Sequence, residues 1–392
     1  MVQPGAGERS GRGKDFIGAD HVHPDIKTNK EVPMREDKIS RTQLMALLWA
    51  GVMAPAAELL PSLLIPEAGR GAWLAVALAA PLVLVSGWLM GFAAGQEGFA
   101  RAVSQLLGRW TGGAVLLIYI VWGLFLLSLR LRLCGERLLA SGERDGAMWF
   151  FLLAVAGVLL WMGRGGLSAF ARAGQLFLTA LLATAGVVLA LSLFQAKLER
   201  LFPLWWGDIP GAAHAALSAA GVAGWGLFLP FLMGEVRDQG ENRHWHWLFW
   251  GLGGMLILAA AQAIILGNLG VGLAGRLENP FFALAKSVGV EGAFQRVEGV
   301  VAALWTFADL TMGGVLVFAV RTMAAELLPE QRRAWTPWAV VAVGLAGAMF
   351  LFPAAGIAGE WNRRLVPAAN LVLGFVLPSL LALVCRFRRG KT

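Results

Sequence analysis

Residues 40–65 read SRTQLMALLWAGVMAPAAELLPSLLI, an apolar run in which only Arg41 and Glu58 carry a charge. About 20 apolar residues in a helix cross a bilayer, and hydrocarbon offers the backbone no hydrogen-bond partner outside that helix. The run therefore predicts a transmembrane helix. Pro55 and Pro61 stand inside it, and each removes a backbone donor and disturbs the preceding turn. We expect this helix to be interrupted near the middle of the membrane.

The rest of the chain repeats this pattern. Of its 392 residues, 57% are hydrophobic and 15% are charged, whereas a soluble domain has about 45–50% and about 25%. These proportions exclude a soluble enzyme and a disordered chain, and they predict an all-α polytopic membrane protein. The predicted spans are residues 40–65, 72–94, 112–134, 147–162, 168–194, 212–234, 247–271, 297–324, 336–353 and 365–385, the fourth and ninth being the shortest.

The charged ends of the chain predict its orientation. Residues 1–38 carry as many acidic as basic side chains and no apolar run, so we expect a mobile cytoplasmic tail before a transmembrane domain at residues 39–392. Arg386, Arg388 and Arg389 favour a cytoplasmic C-terminus as well. The net charge of +8 lies in short loops, where it indicates topology and not nucleic-acid binding.

Ten spans divide into two halves of five, at residues 39–195 and 209–387. An odd number per half predicts an inverted repeat, in which the first helix of each half is broken and the ligand lies between the breaks. The sixth span fits this expectation, because it contains several glycines followed by Pro230. A simple kink is the alternative. The predicted ligand-binding residues are Pro55, Ala56, Glu58, Gly221, Gly224, Trp225, Gly226 and Trp305.

Two acidic residues lie inside predicted spans. A charge in the bilayer centre costs about 2.5–3.5 kcal/mol on insertion scales, so Glu58 should face the protein interior or water. It could bind a ligand ammonium group or carry a proton, or it could be a structural acid that is either protonated or paired with arginine. Asp309 has the same alternatives, proton or ion coupling against a carboxylate bonded inside the bundle. Glu58 and Asp309 are therefore the candidate coupling residues.

Other polar motifs are less informative. Arg132 and Glu136 are four residues apart and predict an ion pair on one face of a helix. The pairs His21/His23 and His244/His246 lack neighbouring cysteines or acid clusters, so we expect no metal site. Residues 278–286 predict a short amphipathic helix that starts at Pro280 and either acts as a lid or only caps the bundle. With no phosphate-binding loop or nucleophile motif, we expect neither a cofactor nor an enzyme.

Five stretches in order resemble one protein family. They are ISRTQL at 39–44, GAWL at 71–74, Arg132 with Glu136, GGLS at 165–168, and FQRVE at 294–298 followed by Leu304 and Trp305. Together they resemble the permease-like B subunit of bacterial spore nutrient-germinant receptors, over about residues 39–388. That family is similar to the amino acid–polyamine–organocation transporters, which have a five-plus-five inverted repeat.

The resemblance implies a site for an amino acid or a similar small nutrient, in a multi-pass protein of the spore inner membrane. It also implies a larger membrane A subunit and a lipoprotein C subunit as partners. The chain departs from the family at Ala54–Ala57, where glycines are usual, and at Leu227 and Gln295, where acids are usual.

The sequence therefore favours a germinant-receptor subunit that binds a nutrient and signals to its partners. The first alternative is a free-standing proton-coupled amino acid transporter. The second is a structural membrane anchor, which would follow if side chains at Ala56, Trp225 and Leu227 block the pocket.

Overall fold

The computed structural model describes residues 38–94, 97–141, 147–237, 243–277, 279–287, 297–354 and 356–389. Apart from Lys38, the predicted tail at 1–38 lies outside the described residues, as does Gln295. The described chain is almost entirely helical.

The first half contains six helices. They are α1 (Arg41–Ala68), α2 (Ala72–Ala94), the short α3 (Phe99–Leu107), α4 (Arg109–Ser141), α5 (Met148–Arg164) and α6 (Leu167–Leu193). A three-residue 3-10 turn, Gly69–Gly71, connects α1 to α2.

The second half has a similar order. It contains α7 (Asp208–Ala223), which continues as a 3-10 segment (Gly224–Glu235), then α8 (Arg243–Ala274), the short α9 (Pro280–Ser287), α10 (Val297–Leu327), α11 (Glu330–Arg333), α12 (Thr336–Phe350), α13 (Ile357–Leu371), a π turn (Val372–Val376) and α14 (Leu377–Arg389). In each half a short helix, α3 or α9, lies between the second and third long helices. This shared order supports the predicted repeat, whose boundaries stay a prediction.

The chain is a multi-pass membrane protein. Seven helical segments in the described residues are long and apolar enough to cross a membrane, and the first, Arg41–Phe92, holds both α1 and α2. The helices α5 and α12 are apolar but shorter, with 17 and 15 residues, as predicted for the fourth and ninth spans. Large apolar side chains such as Leu176 and Phe249 are exposed on the outside of the bundle, where lipid would cover them. The count of ten crossings stays a prediction.

The first helix differs from our expectation. It is α-helical from Arg41 to Ala68, although Pro55, Pro61 and Pro66 lie inside it. Ser40 caps its start, because the Ser40 hydroxyl accepts a hydrogen bond from the Gln43 backbone N–H and the Gln43 side chain accepts one from the Ser40 N–H. In a membrane bundle, neighbouring helices and local adjustments compensate for the donors that proline removes. The prolines therefore do not interrupt α1.

The sixth helix changes geometry where the glycines predicted it, at Gly224. In a 3-10 helix the side chains at i and i+3 eclipse each other, so every third residue shares a face. One face of the 3-10 segment carries Trp225, Phe228 and Phe231. The Phe231 ring lies 5.1 Å from the Tyr119 ring on α4, and Phe228 lies next to Gly123 one turn along α4. This face therefore packs along α4.

Gly221, at the end of α7, is needed for close packing against α13. A Cβ atom at this position would collide with the backbone carbonyl of Pro367, and the Gly221 carbonyl accepts a hydrogen bond from Asn370 Nδ2 at 3.1 Å. We expect Gly221→Ala to lower the free energy of unfolding by about 1–3 kcal/mol, since a helix backbone cannot yield as a side chain does.

The measurement is thermal unfolding of the purified protein in detergent, with Gly186→Ala on α6 as the control. Apart from the backbone of its own helix, no described atom lies within 4 Å of the position that a Cβ would take at Gly186, so this variant should be as stable as the parent or more so. Equal melting temperatures for the two variants would contradict the packing argument.

Candidate ligand-binding site

A cluster of four charged side chains connects three helices in the interior. Asp309, in the middle of α10, accepts hydrogen bonds from Arg130 at 3.3 Å and from Arg137 at 3.0 Å, both on α4. Arg137 also donates to Glu58 of α1 at 2.8 Å. The Asp309 side chain is only 1% exposed and that of Glu58 is 30% exposed. We call Glu58, Arg130, Arg137 and Asp309 the charged cluster.

The sequence analysis did not identify Arg137, which donates hydrogen bonds to both Glu58 and Asp309. The third span was predicted to end at residue 134, whereas α4 continues to Ser141. One signal was present in the sequence: Arg137 follows Arg130 by two helical turns, with Cys134 between them on the same face. The predicted pair of Arg132 and Glu136 is confirmed, at 2.8 Å.

Arg130 lies at the deepest point of the charged cluster. Its side chain is 3% exposed, and its Cζ atom lies 3.9 Å from the centre of the Trp225 ring, a cation–π contact. Nη1 donates to Asp309, but Nε and Nη2 are buried and have no hydrogen-bond partner among the described residues. The indole Nε1 of Trp225 is also buried and has no hydrogen-bond partner among the described residues.

A cavity of about 540 Å³ reaches this cluster from one end of the bundle. Its lining comes from the C-terminal halves of α1 and α4 and from the N-terminal ends of α5 and α13. The lining residues are Pro55, Glu58, Leu59, Ser62, Arg130, Leu133, Glu136, Arg137, Leu139, Ala140, Met148, Asn279, Gly356, Gly359, Asn362 and Arg363. Small-molecule sites have volumes of about 300–1,000 Å³, so the cavity has the size of a ligand site.

The other end of α1 is held by backbone hydrogen bonds. The Ile39 N–H donates to the Glu235 carbonyl at 2.9 Å, and the Arg237 N–H donates to the Ile39 carbonyl at 2.9 Å. Ile39 is fully buried. These bonds tie the residue before the Ser40 cap to the end of the 3-10 segment. The first helices of the two halves are thus joined at this end, away from the cavity.

Four of the residues singled out in the sequence meet at the charged cluster. Pro55 and Glu58 line the cavity, Asp309 lies behind Glu58 and Arg137, and Trp225 packs against Arg130. Both acids are paired with arginine inside the bundle, which is the structural alternative weighed for each of them. Their roles in ligand binding and coupling stay predictions.

The other candidates lie elsewhere. Gly224 and Gly226, together with Leu227, line a separate apolar cavity of about 60 Å³. Ala56 is buried and does not line the 540 Å³ cavity, and Gly221 packs on α13. Trp305 is buried one turn before Asp309, with its ring 5.1 Å from Phe281 of α9.

The helix α9 begins at Pro280, as predicted, and the Asn279 side chain accepts a hydrogen bond from the Phe282 N–H at 3.2 Å. Because Asn279 also lines the cavity, this short helix lies at its rim. Within the described residues no group of three or more potential metal ligands occurs. His21, His23 and the His244 side chain are outside those residues.

Residues 38–354 match the model of the spore permease family, described as spore germination protein. The chain belongs to this family. The permease also resembles the crystal structure of MhsT in complex with L-phenylalanine, with a TM-score of 0.61 and 15% sequence identity over 89% of each chain. That likeness shows a shared fold, which agrees with the transporter-like fold expected from the sequence. No curated protein sequence matches the permease.

The charged cluster predicts a large stability cost when Asp309 is neutralised. Asp309→Asn would leave the buried Arg130 and the partly buried Arg137 without their shared carboxylate, and breaking a buried ion pair in this way costs about 3–5 kcal/mol. Thermal unfolding in lipid nanodiscs should show a marked loss. The control is Glu360→Gln, which breaks an exposed pair with Arg364 and should cost less than about 1 kcal/mol. Equal losses in both variants would show that the cluster does not stabilise the bundle.

Proposed function

We propose that this permease binds an amino acid or a similar small nutrient in the cavity above the charged cluster. The observation that carries the proposal is that a cavity of about 540 Å³ ends at Glu58, Arg137 and Arg130. Membership of the spore germination family supports a nutrient as the ligand. The fold shared with MhsT, which was crystallised with L-phenylalanine, supports an amino acid.

The cavity offers both charges that a zwitterion requires. The Glu58 side chain is partly exposed to the cavity and can accept hydrogen bonds from an ammonium group. Arg137 and Arg130 line the same space and supply the positive charge. The walls between these charges are largely apolar and include Leu59, Leu133 and Leu139, which suit an aliphatic or aromatic side chain.

Ligand binding at Glu58 would change the ion-pair network through which α1 and α4 of the first half contact α10 of the second. Glu58 belongs to the first half and Asp309 to the second, and Arg137 bonds to both. An ammonium group that bonds to Glu58 competes with Arg137 for its carboxylate. A ligand that binds more tightly when this tie is altered shifts the population between two conformations.

We propose further that the permease is the B subunit of a nutrient-germinant receptor in the spore inner membrane. In this role it would pass its conformational change to a larger membrane A subunit and a lipoprotein C subunit. Co-purification of the three subunits from spore membranes, with the nutrient response lost when the permease is deleted, is the expected result. A permease that purifies alone from spores with a full response would contradict this role.

The first test of the site is Glu58→Gln. We expect this variant to bind the nutrient about tenfold more weakly or worse, since the amide cannot pair with an ammonium charge. Binding of radiolabelled amino acids to the purified permease in nanodiscs measures the effect.

Glu67→Gln is the matched control, because Glu67 is also on α1 but pairs with the exposed His214 and lies outside this cavity. Unchanged affinity in Glu58→Gln would place the nutrient elsewhere. Equal losses in both variants would show that the effect is not specific to the cavity.

A free-standing transporter is the second candidate, since a cavity reached from one end of the bundle is typical of one state in alternating access. The deciding assay is amino acid uptake into proteoliposomes that contain the permease alone, with and without a proton gradient. A receptor subunit should show saturable binding without accumulation. Gradient-driven accumulation that is lost in Glu58→Gln would establish the transporter in its place.

The structural-anchor alternative required a blocked pocket. Trp225 and Leu227 are buried, and Trp225 with Arg130 fills the space between the 3-10 segment and α4. The cavity of about 540 Å³ nevertheless extends to Arg130, and Ala56 does not line it. This open path favours ligand binding over a purely structural role.

A further inference from the structure

Three neighbouring hydrogen-bond donors, two on Arg130 at the base of the cavity and one on Trp225 behind it, have no partner among the described residues. They are Nε and Nη2 of Arg130 and Nε1 of Trp225, all buried, and among the described residues nothing accepts a hydrogen bond from them. The Trp225 ring lies against the Arg130 guanidinium, 3.9 Å from Cζ, so the three donors share one locality. Buried polar groups are nearly always hydrogen-bonded, so this grouping requires a partner.

The chemistry of the donors restricts that partner to an acceptor. A guanidinium has five N–H donors and no acceptor, and an indole nitrogen only donates. Nε and Nη2 form one edge of the guanidinium plane, whose parallel N–H bonds match the two oxygens of a carboxylate. Nη1, on another edge, already donates to Asp309. The free edge of Arg130 therefore has the donor geometry that a bidentate contact with a carboxylate requires.

The charges around the cavity favour an anionic group at this point. Three arginines (Arg130, Arg137 and Arg363) and two glutamates (Glu58 and Glu136) line it. Behind them, Asp309 and Arg132 add one charge of each sign. The cavity thus keeps one excess positive charge, and Asp309 holds Arg130 in place from the side opposite to the free edge.

We propose that the Nε/Nη2 edge of Arg130, with the Trp225 indole N–H beside it, binds the carboxylate of the permease's ligand. The ligand then points its carboxylate toward the base of the cavity and its ammonium group toward Glu58. This inference rests on the proposed function and narrows the ligand to a small carboxylate-bearing molecule.

The first experiment uses the wild-type permease in nanodiscs, so it does not depend on a variant that folds. Isothermal titration compares the amino acid that binds best in a panel of L-amino acids with its decarboxylated amine and its methyl ester. We expect the amine and the ester to bind about a hundredfold more weakly, because both leave the free edge unpaired. An amine that binds as tightly as the amino acid would overturn the carboxylate assignment and leave nutrient binding in the cavity intact.

The second experiment replaces the guanidinium group of Arg130, with its two parallel N–H donors, by the ammonium group of lysine. Arg130→Lys keeps the positive charge beside Asp309 but loses the two parallel donors, so the amino acid should bind about tenfold more weakly while the amine is unaffected. The control is Arg321→Lys on α10, since Arg321 also stacks on an aromatic ring, Phe318, but donates to the Gly163 carbonyl away from the cavity. Unchanged amino acid affinity in Arg130→Lys would overturn the proposal.

A third arm separates this proposal from the proposed function when no amino acid in the panel binds. Propionate, tested against an equal concentration of chloride, should raise the melting temperature of the wild-type permease by about 2 °C or more, since binding to the folded state alone stabilises it. The same salt should leave Arg130→Lys unchanged. If propionate gives no shift in the wild type, the free edge of Arg130 does not bind carboxylates.

Discussion

Asp309 accepts one hydrogen bond from Arg130 and one from Arg137, and the interior of the bundle depends on this pair of bonds. Each charge alone would be expensive at this depth, but the carboxylate between two guanidinium groups offsets much of that cost. Because Arg137 also bonds to Glu58, the same pairing fixes α1, α4 and α10 relative to one another. The geometry of the cavity follows from this, since its base is the surface of the charged cluster.

The two ends of the bundle are held together by different forces. At the N-terminal end of α1, backbone hydrogen bonds tie Ile39 to Glu235 and Arg237, and these bonds do not respond to a small solute. At the cavity end, Asp309 of the second half accepts hydrogen bonds from Arg130 and Arg137 of the first half, and Arg137 also donates to Glu58, whose carboxylate a ligand ammonium group can compete for. Binding energy can therefore act on the second connection while the first stays intact.

Much of the fold follows from the sequence, because the length of an apolar run and the cost of exposing its backbone in lipid determine where helices lie. The cost of a buried charge likewise marks Glu58 and Asp309. The partner Arg137 could not be found in this way, since the predicted third span ends at residue 134. A cavity beside α4 allows the helix to continue to Ser141 with its charged turns inside the protein. The helical course of α1 through Pro55 and Pro61 depends on neighbouring helices, which a local pattern does not reveal.

The contact between Trp225 and Arg130 depends on the 3-10 geometry. A helical pattern of 3.6 residues per turn does not predict it. From Gly224 onward every third side chain shares a face, so Trp225, Phe228 and Phe231 form one column beside α4. That column meets Arg130, Gly123 and Tyr119 in the reverse order along α4. An α-helical continuation would advance each residue by 100° in place of 120°, and about 60° of misalignment would accumulate over three residues. The glycines around Gly224 allow α7 to continue as a 3-10 segment. This change places the Trp225 indole against the Arg130 guanidinium and so brings the three unpaired donors together.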